Sequence, residues 1–202
     1  IVGDSVRGSL RRLVTERLGE VDHLLIAPHF FPSDLRERLL GSPEVAERCE
    51  AITPVIALQG VCTNADETRR APNVSVFGRA EVEEDSCIVS APLAADLGVG
   101  QGDVVVLRSR SGVGMPADSA IRMSVDQPGL LRLTVAHVAP QTSLEGGFSL
   151  HATQRAVRSI WVPLDRLQRA LEVDDRVNGL LIRASAGHAE RGDARALQQA
   201  VN

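Results

Sequence analysis

Residues 87–108, CIVSAPLAADLGVGQGDVVVLR, read as a strand, a helix of one to two turns and a second strand. Pro92 stands in the first turn of that helix, where a missing backbone N–H leaves nothing unpaired. Gly98 can end the helix in the left-handed conformation, and Gly102-Asp103 supplies a turn before VVVLR. The pattern recurs at 159–184, SIWVPLDRLQRALEVDDRVNGLLIRA, again as strand, Pro-led helix, turn and strand. Both units offer packing side chains and no obvious reactive set, which points toward a structural or interaction role.

Working outward, residues 4–18 read as an amphipathic helix with Val6, Leu10, Leu13 and Leu18 on one face. HLLIAP (23–28) is a short strand that Pro28 stops, and Ser33-Asp34 open a helix running to about Arg48. ITPVIALQGVCTN (52–64) is a strand bent where Gly60 falls. DETRRAPN (66–73) is a turn and VSVFGRA (74–80) a returning strand. The charged run EVEEDS (81–86) marks a junction. Beyond the 87–108 unit lie a Gly/Ser/Pro loop (109–119) and the strands AIRMSV and LLRLTVAHV, joined as a hairpin through Gln127-Pro128-Gly129. QTSLEGGFSLHATQRA (141–156) is an irregular excursion of the kind that carries contacts. Residues 189–202 form a weakly apolar helix. Ile1-Val2-Gly3 has no initiator Met or signal-peptide pattern, and both ends read as cut from something longer.

The composition is that of an ordinary globular protein, and a net charge of −4 without basic tracts speaks against nucleic acid. Every one of the 22 basic residues is arginine. A chain without lysine has no Walker A phosphate lysine, no Schiff base and no pyridoxal phosphate anchor. Three cysteines, Cys49, Cys62 and Cys87, suit neither a disulfide framework nor a zinc site. Buried apolar cysteines are the favoured reading over a Cys49–Cys62 bridge. No run of about 18 apolar residues occurs to span a bilayer.

The candidate sites are thin. GVGQG (98–102) ends a helix and opens a strand, the reverse of a dinucleotide fingerprint, so its glycines read as turns. His23, His29, His137, His151 and His188 form no metal-ligand spacing. His137 reads as a half-buried strand residue, and Trp161 as core. The acids Glu81, Glu83, Glu84 and Asp85 read as a solvated run rather than a cation site. Neither a GxSxG elbow nor Ser-x-x-Lys is present. His29, beside Phe30-Phe31-Pro32, is the one histidine in a loop of functional character.

Taken in order, four stretches resemble the extracytoplasmic domain of MacB/FtsX-like ABC transporter permeases. IVGDSVRGSLRRL looks like the family's stretch after its first transmembrane helix. CIVSAPLAADLGV with GDVVVLR looks like its strand, helix and Gly-led strand. LLRLTVAHVAP is similar to its next strand, with His137-Val138 where Gly-Val is common. SIWVPLDRLQRAL with VNGLLIRA is similar to the segment before its second transmembrane helix. The resemblance implies an α+β fold. A split porter-like α/β subdomain of βαβ units (1–80 plus 175–202) would carry an inserted, mainly β, Sabre-like subdomain (81–174).

It also implies a non-catalytic domain without cofactors. The domain would be moved by a cytoplasmic ABC ATPase subunit through membrane helices at both ends. The full-length protein is expected to be a homodimer or paired permease at a bacterial cytoplasmic membrane. A periplasmic or extracellular protein or lipoprotein would meet His29, Phe30, Phe31, Leu144 and Phe148. LGVGQGDVVVLR also looks like a turn of double-psi β-barrel domains. That likeness supports the rival reading, a small soluble ligand-binding or enzyme domain.

Overall fold

The computed structural model describes residues 21–109, 130–148 and 156–185. Eight strands form in chain order: β1 (His23–Pro32), β2 (Cys49–Asn64), β3 (Arg70–Arg79), β4 (Ser86–Ser90), β5 (Val104–Ser109), β6 (Leu130–Ala139), β7 (Ser159–Pro163) and β8 (Arg176–Ala184). Five short helices lie between them: α1 (Leu35–Leu40), α2 (Pro43–Arg48), α3 (Ala91–Leu97), α4 (Leu144–Gly147) and α5 (Leu164–Leu171). The sequence expectations at 4–18, 110–129, 149–155 and 189–202 fall outside the described residues, as do His151 and His188.

The sheet runs β1-β8-β2-β3-β7-β4-β6-β5, and β5 returns to pair with β2. Six strands, β2-β3-β7-β4-β6-β5, therefore close into a barrel, with β8 and β1 extending from β2 as a flap. Alternate residues of every barrel strand point inward, as strand geometry demands. Ile56, Leu58, Val74, Val76, Cys87, Val89, Val105, Leu107, Leu133, Val135, Ile160 and Val162 fill one continuous cluster. Each fully buried aliphatic side chain there stabilises the fold by roughly 1.5–3 kcal/mol.

The two units legible in the sequence have the same local structure. α3 ends at Gly98 (φ 64°) and α5 at Glu172 (φ 56°), both left-handed. Past each cap a valine donates back into the helix: Val99 N–H to Ala94 O and Val173 N–H to Gln168 O, each at 3.0 Å. Both valines pack on the barrel cluster. These are Schellman ends with their apolar contact. The units lie antiparallel to one another through β4 and β7, with Ile88 opposite Trp161 and Val89 opposite Ile160.

Four expectations change. β1 runs through Pro28 to Pro32, because it lies at the end of the sheet order and an edge proline takes no ladder donor away. The helix expected over 33–48 is two, α1 and α2. Pro43 pushes Ser42 into extended backbone (ψ 123°) and stops propagation there. The strand expected from Val74 starts at Arg70, shortening the turn. His137 is exposed: β6 slips register opposite Cys87 and Ile88, so Ala136 is the extra residue and His137 turns outward. The bend expected near Gly60 is present as a register shift between Gly60 and Cys62.

A test follows from the matched caps. A side chain at Gly98 meets both a left-handed backbone and the Arg69 guanidinium, 2.8 Å from the Cβ position. Gly98→Ala is expected to destabilise the fold by about 1–2 kcal/mol. Glu172→Gly, at the equivalent place, should be neutral or stabilise by up to about 1 kcal/mol. Urea midpoints of the two variants check the opposite signs.

Candidate interaction surface

The sequence-predicted contact residues fall in two places. β3 and β7 run parallel with Phe77 beside Trp161, so both rings stand on the outer face of the barrel. α4 lays Phe148 against them. The ring centroids of Phe77 and Trp161 are 4.7 Å apart, and those of Phe77 and Phe148 are 4.9 Å apart in an edge-on arrangement. The Trp161 Nε1–H donates to the Glu145 carbonyl (2.9 Å), and the Ser159 hydroxyl donates to the same oxygen (2.8 Å). One end of α4 is thereby pinned to β7.

Phe148 has no exposed surface, so it is not a contact residue, whereas Leu144 is half-buried against the same cluster. That is a correction to the sequence reading. The irregular excursion at 141–156 suggested contacts, whereas the Phe148 ring closes the core's outer layer. The chain has four Phe, one Trp and no Tyr, and three of these five rings are spent on this cluster. His29 is exposed; Phe30 and Phe31 are half-buried against the barrel and flap clusters. They lie on β1, away from α4 in the topology.

Several charged side chains near α4 and α5 are paired. Arg79 Nε donates to Glu81 Oε2 (2.8 Å), and its guanidinium lies 6.0 Å from the Trp161 ring centroid. Arg166 reaches Asp85 (2.6 Å) and Arg169 reaches Glu84 (3.4 Å). The acidic run 81–85 thus ties the β3–β4 connection to α5. Such exposed pairs contribute about 0–1 kcal/mol each. Among the described residues no cluster of His, Cys, Asp and Glu is placed to hold a metal.

The cysteines are buried and unbridged. Burial pushes the Cys87 thiol up to about 12, and burial with Cys87 nearby pushes Cys62 up further. Both are inert core residues. In the exposed turn at 65–69, hydrogen bonds from the Thr68 hydroxyl and N–H hold the Asp66 carboxyl below its ordinary range. GVGQG is likewise a turn, with the Gly100 N–H on Asp103 Oδ2 (2.8 Å) and the Gly102 N–H on the Val135 carbonyl (2.8 Å).

A groove missed by motif reading lies where β2 passes from the flap to the barrel. It encloses about 300 Å³. Its floor is Ile52–Pro54, and α5 forms one wall with Asp165 and Gln168. Glu81, Asp175 and Arg36 stand around its rim. No sequence signal marks it, because its floor on β2 and its wall on α5 are far apart in the chain until they pack.

The class of fold is thus a closed barrel with a two-stranded flap, joined through one long strand. No protein-family model matches the chain, and no curated protein matches its sequence. Solved structures do. The chain is similar to the periplasmic region of MacB from Actinobacillus actinomycetemcomitans, with TM-score 0.51 and 8% identity over 85% of this chain and 72% of that one. It is similar also to the extracellular domain of the noncanonic ABC-type transporter YknZ from Gram-positive bacteria. There the TM-score is 0.50 with 9% identity, over 87% of this chain and 91% of that one. At such identity the likeness is one of fold. The MacB-like resemblance read in the sequence holds at that level. No helix among the described residues is long and apolar enough to cross a membrane.

Two measurements check the assignments. Phe148→Ala is expected to cost about 3–5 kcal/mol of stability, as for other buried rings; an unchanged urea midpoint would return Phe148 to the surface. A thiol reagent such as Ellman's is expected to find almost no reactive cysteine in the native chain and all three after unfolding. Fast native reaction at Cys62 or Cys87 would contradict their burial.

Proposed function

We propose that this chain is the non-catalytic extracytoplasmic domain of an ABC transporter permease. The observation that carries the reading is the fold it shares, over most of its length, with two periplasmic or extracellular domains. One feature of the chain supports it further. β1 and β8 are antiparallel neighbours with His23 opposite Ile182. Asp22 N–H donates to the Ile182 carbonyl (3.0 Å), and Ala184 N–H donates to Asp22 Oδ2 (2.8 Å). The chain therefore enters and leaves the folded body side by side, as a domain set between two neighbouring membrane helices requires.

In this reading a cytoplasmic ATPase subunit moves the membrane helices, and the motion passes through β1 and β8 to a substrate or a periplasmic or extracellular partner. The permease works as a homodimer or a pair. Of the contact residues, His29, Phe30, Phe31 and Leu144 remain. The division into a porter-like part (1–80 plus 175–202) and an inserted part (81–174) belongs to the same proposal. It is a division of topology rather than of folding units, since β2–β5 and β3–β7 pairs cross it.

The complete gene is expected to encode an apolar span of about 20 residues on either side of residues 1–202. The full-length protein purified from its own membrane is expected to carry an ATP-hydrolysing subunit with it. Polar sequence on either flank, or a full-length protein that leaves the membrane without detergent, would end this reading.

A further inference from the structure

The groove beside β2 contains an open strand edge. From Ile56 to Thr63, β2 is flanked by β3, but β3 leaves at Arg79 and the chain turns away at Ala80. From Cys49 to Val55 its ladder is with β8, on the opposite flank. The flank that β3 vacates has no strand beside it among the described residues. Asn178 of β8 shows which groups face it. Its side chain accepts from Ala57 N–H (2.8 Å) and donates to Ala57 O (2.9 Å), so the polar groups of Ala57 point toward β8. Alternation then turns those of Val55 and Thr53 the same way, and those of Pro54 and Ile52 into the groove. Pro54 fits this placement, since a missing N–H is tolerated only where no neighbouring strand needs it.

The side chains around the edge have a consistent sign. Of the charged residues lining it, Glu81, Asp165 and Asp175 are acidic and Arg36 is basic. Glu81 is held by Arg79, whereas the carboxylates of Asp165 and Asp175 have no partner among the described residues. Gln168 is only 8% exposed and donates its Nε2 to the Arg176 carbonyl (2.9 Å). Its Oε1 has no partner among the described residues and belongs to the groove wall.

We propose that this groove takes an extended segment of a partner protein with basic side chains, which adds to the vacated flank of β2 as a short strand. Main-chain hydrogen bonds would form to Ile52 and to the Pro54 carbonyl. Arginine or lysine at alternate positions would meet Asp165 and Asp175, and a donor from the segment would reach Gln168. This is strand addition, in which the backbone supplies binding and alternate side chains supply selectivity. The site stands independently of the transporter reading, since it needs no membrane subunit.

The test uses the whole 202-residue chain, ¹⁵N-labelled and titrated with the peptide acetyl-Val-Arg-Val-Arg-Val-amide. Saturable shifts are expected at the amides of Ile52, Thr53, Ala80 and Glu81. Asp165→Asn and Asp175→Asn should each weaken binding about 2–5-fold, the range of an exposed charge pair. Both sites are exposed, and Asn tolerates the left-handed backbone of Asp175 (φ 54°), so the variants should fold. The same peptide N-methylated at its central valine should lose binding. The proposal is overturned if Val-Glu-Val-Glu-Val binds as well, if N-methylation makes no difference, or if the shifts do not saturate or lie elsewhere. Shifts already present at these amides in a comparison with the chain lacking residues 1–20 or 186–202 would assign the groove to the chain's own ends, and would also overturn it.

Discussion

One 16-residue strand, β2, serves two sheets, and the rest of the structure depends on that sharing. Its first half pairs with β8 and its second with β3 and β5. Its side chains enter all three hydrophobic clusters: Cys49 and Ile52 the flap cluster, Val55 and Ala57 the outer layer, Ile56, Leu58 and Cys62 the barrel. Period-two alternation makes this possible only if both faces of the strand are covered. They are, which is why the segment reads as a nearly unbroken apolar run. A shift of register by one residue would exchange the barrel and outer-layer sets at once. Gly60 and Pro54 are the two residues that let one strand do this, the first at the bulge and the second where a partner strand is missing.

The two strand–helix–strand units show how similar sequence yields similar local structure but different destinations. Their helices begin after a strand ending in or near proline and end in the same left-handed cap. Yet the first unit delivers β5 into the barrel wall, while the second delivers β8 to the flap. The difference lies in what each last strand meets. β5 lies against β6 and the second half of β2, whereas β8 lies between β1 and the first half of β2. Gly78 marks the parting. A Cβ there would sit 2.8 Å from Leu167 Cδ2 of α5, so a larger residue would have to displace the leucine tips by which the second helix rests on β3.

These two levels explain what the amino-acid sequence disclosed. The strand and helix at 87–108, the matching unit at 159–184, the bend at Gly60 and the turn role of the glycine run are local matters, set by proline, glycine and alternation within a few residues. So is the coreward place of Trp161. What stayed hidden is set across the chain. Pro28 does not stop β1 because no strand lies beyond it among the described residues. His137 faces outward because β4 imposes a bulge on β6. Phe148 is interior because Trp161 and the sequence-distant Phe77 stand side by side and present a ring face for it to cover. The groove at the fork is the extreme case, since it exists only because β3 leaves β2 halfway along.

The same fork bears on how motion could pass through the domain. The chain ends of the folded body meet at one end of the antiparallel pair β1–β8. Pulling them apart would load that ladder one pair at a time, beginning with His23 and Ile182. Antiparallel pairs opened from the end give way sequentially, so such a movement would be absorbed locally. Moving both ends together is different. The displacement then reaches β2 through its pairs with β8, from Ile52–Ile182 to Val55–Gly179, which share the load. β2 carries it into the barrel without a turn or a loop between. In the proposed permease, attachments moved together would therefore reach the barrel more directly than attachments pulled apart. The fork, where the shared strand is bare on one flank, is where that motion would most change the shape presented to a partner.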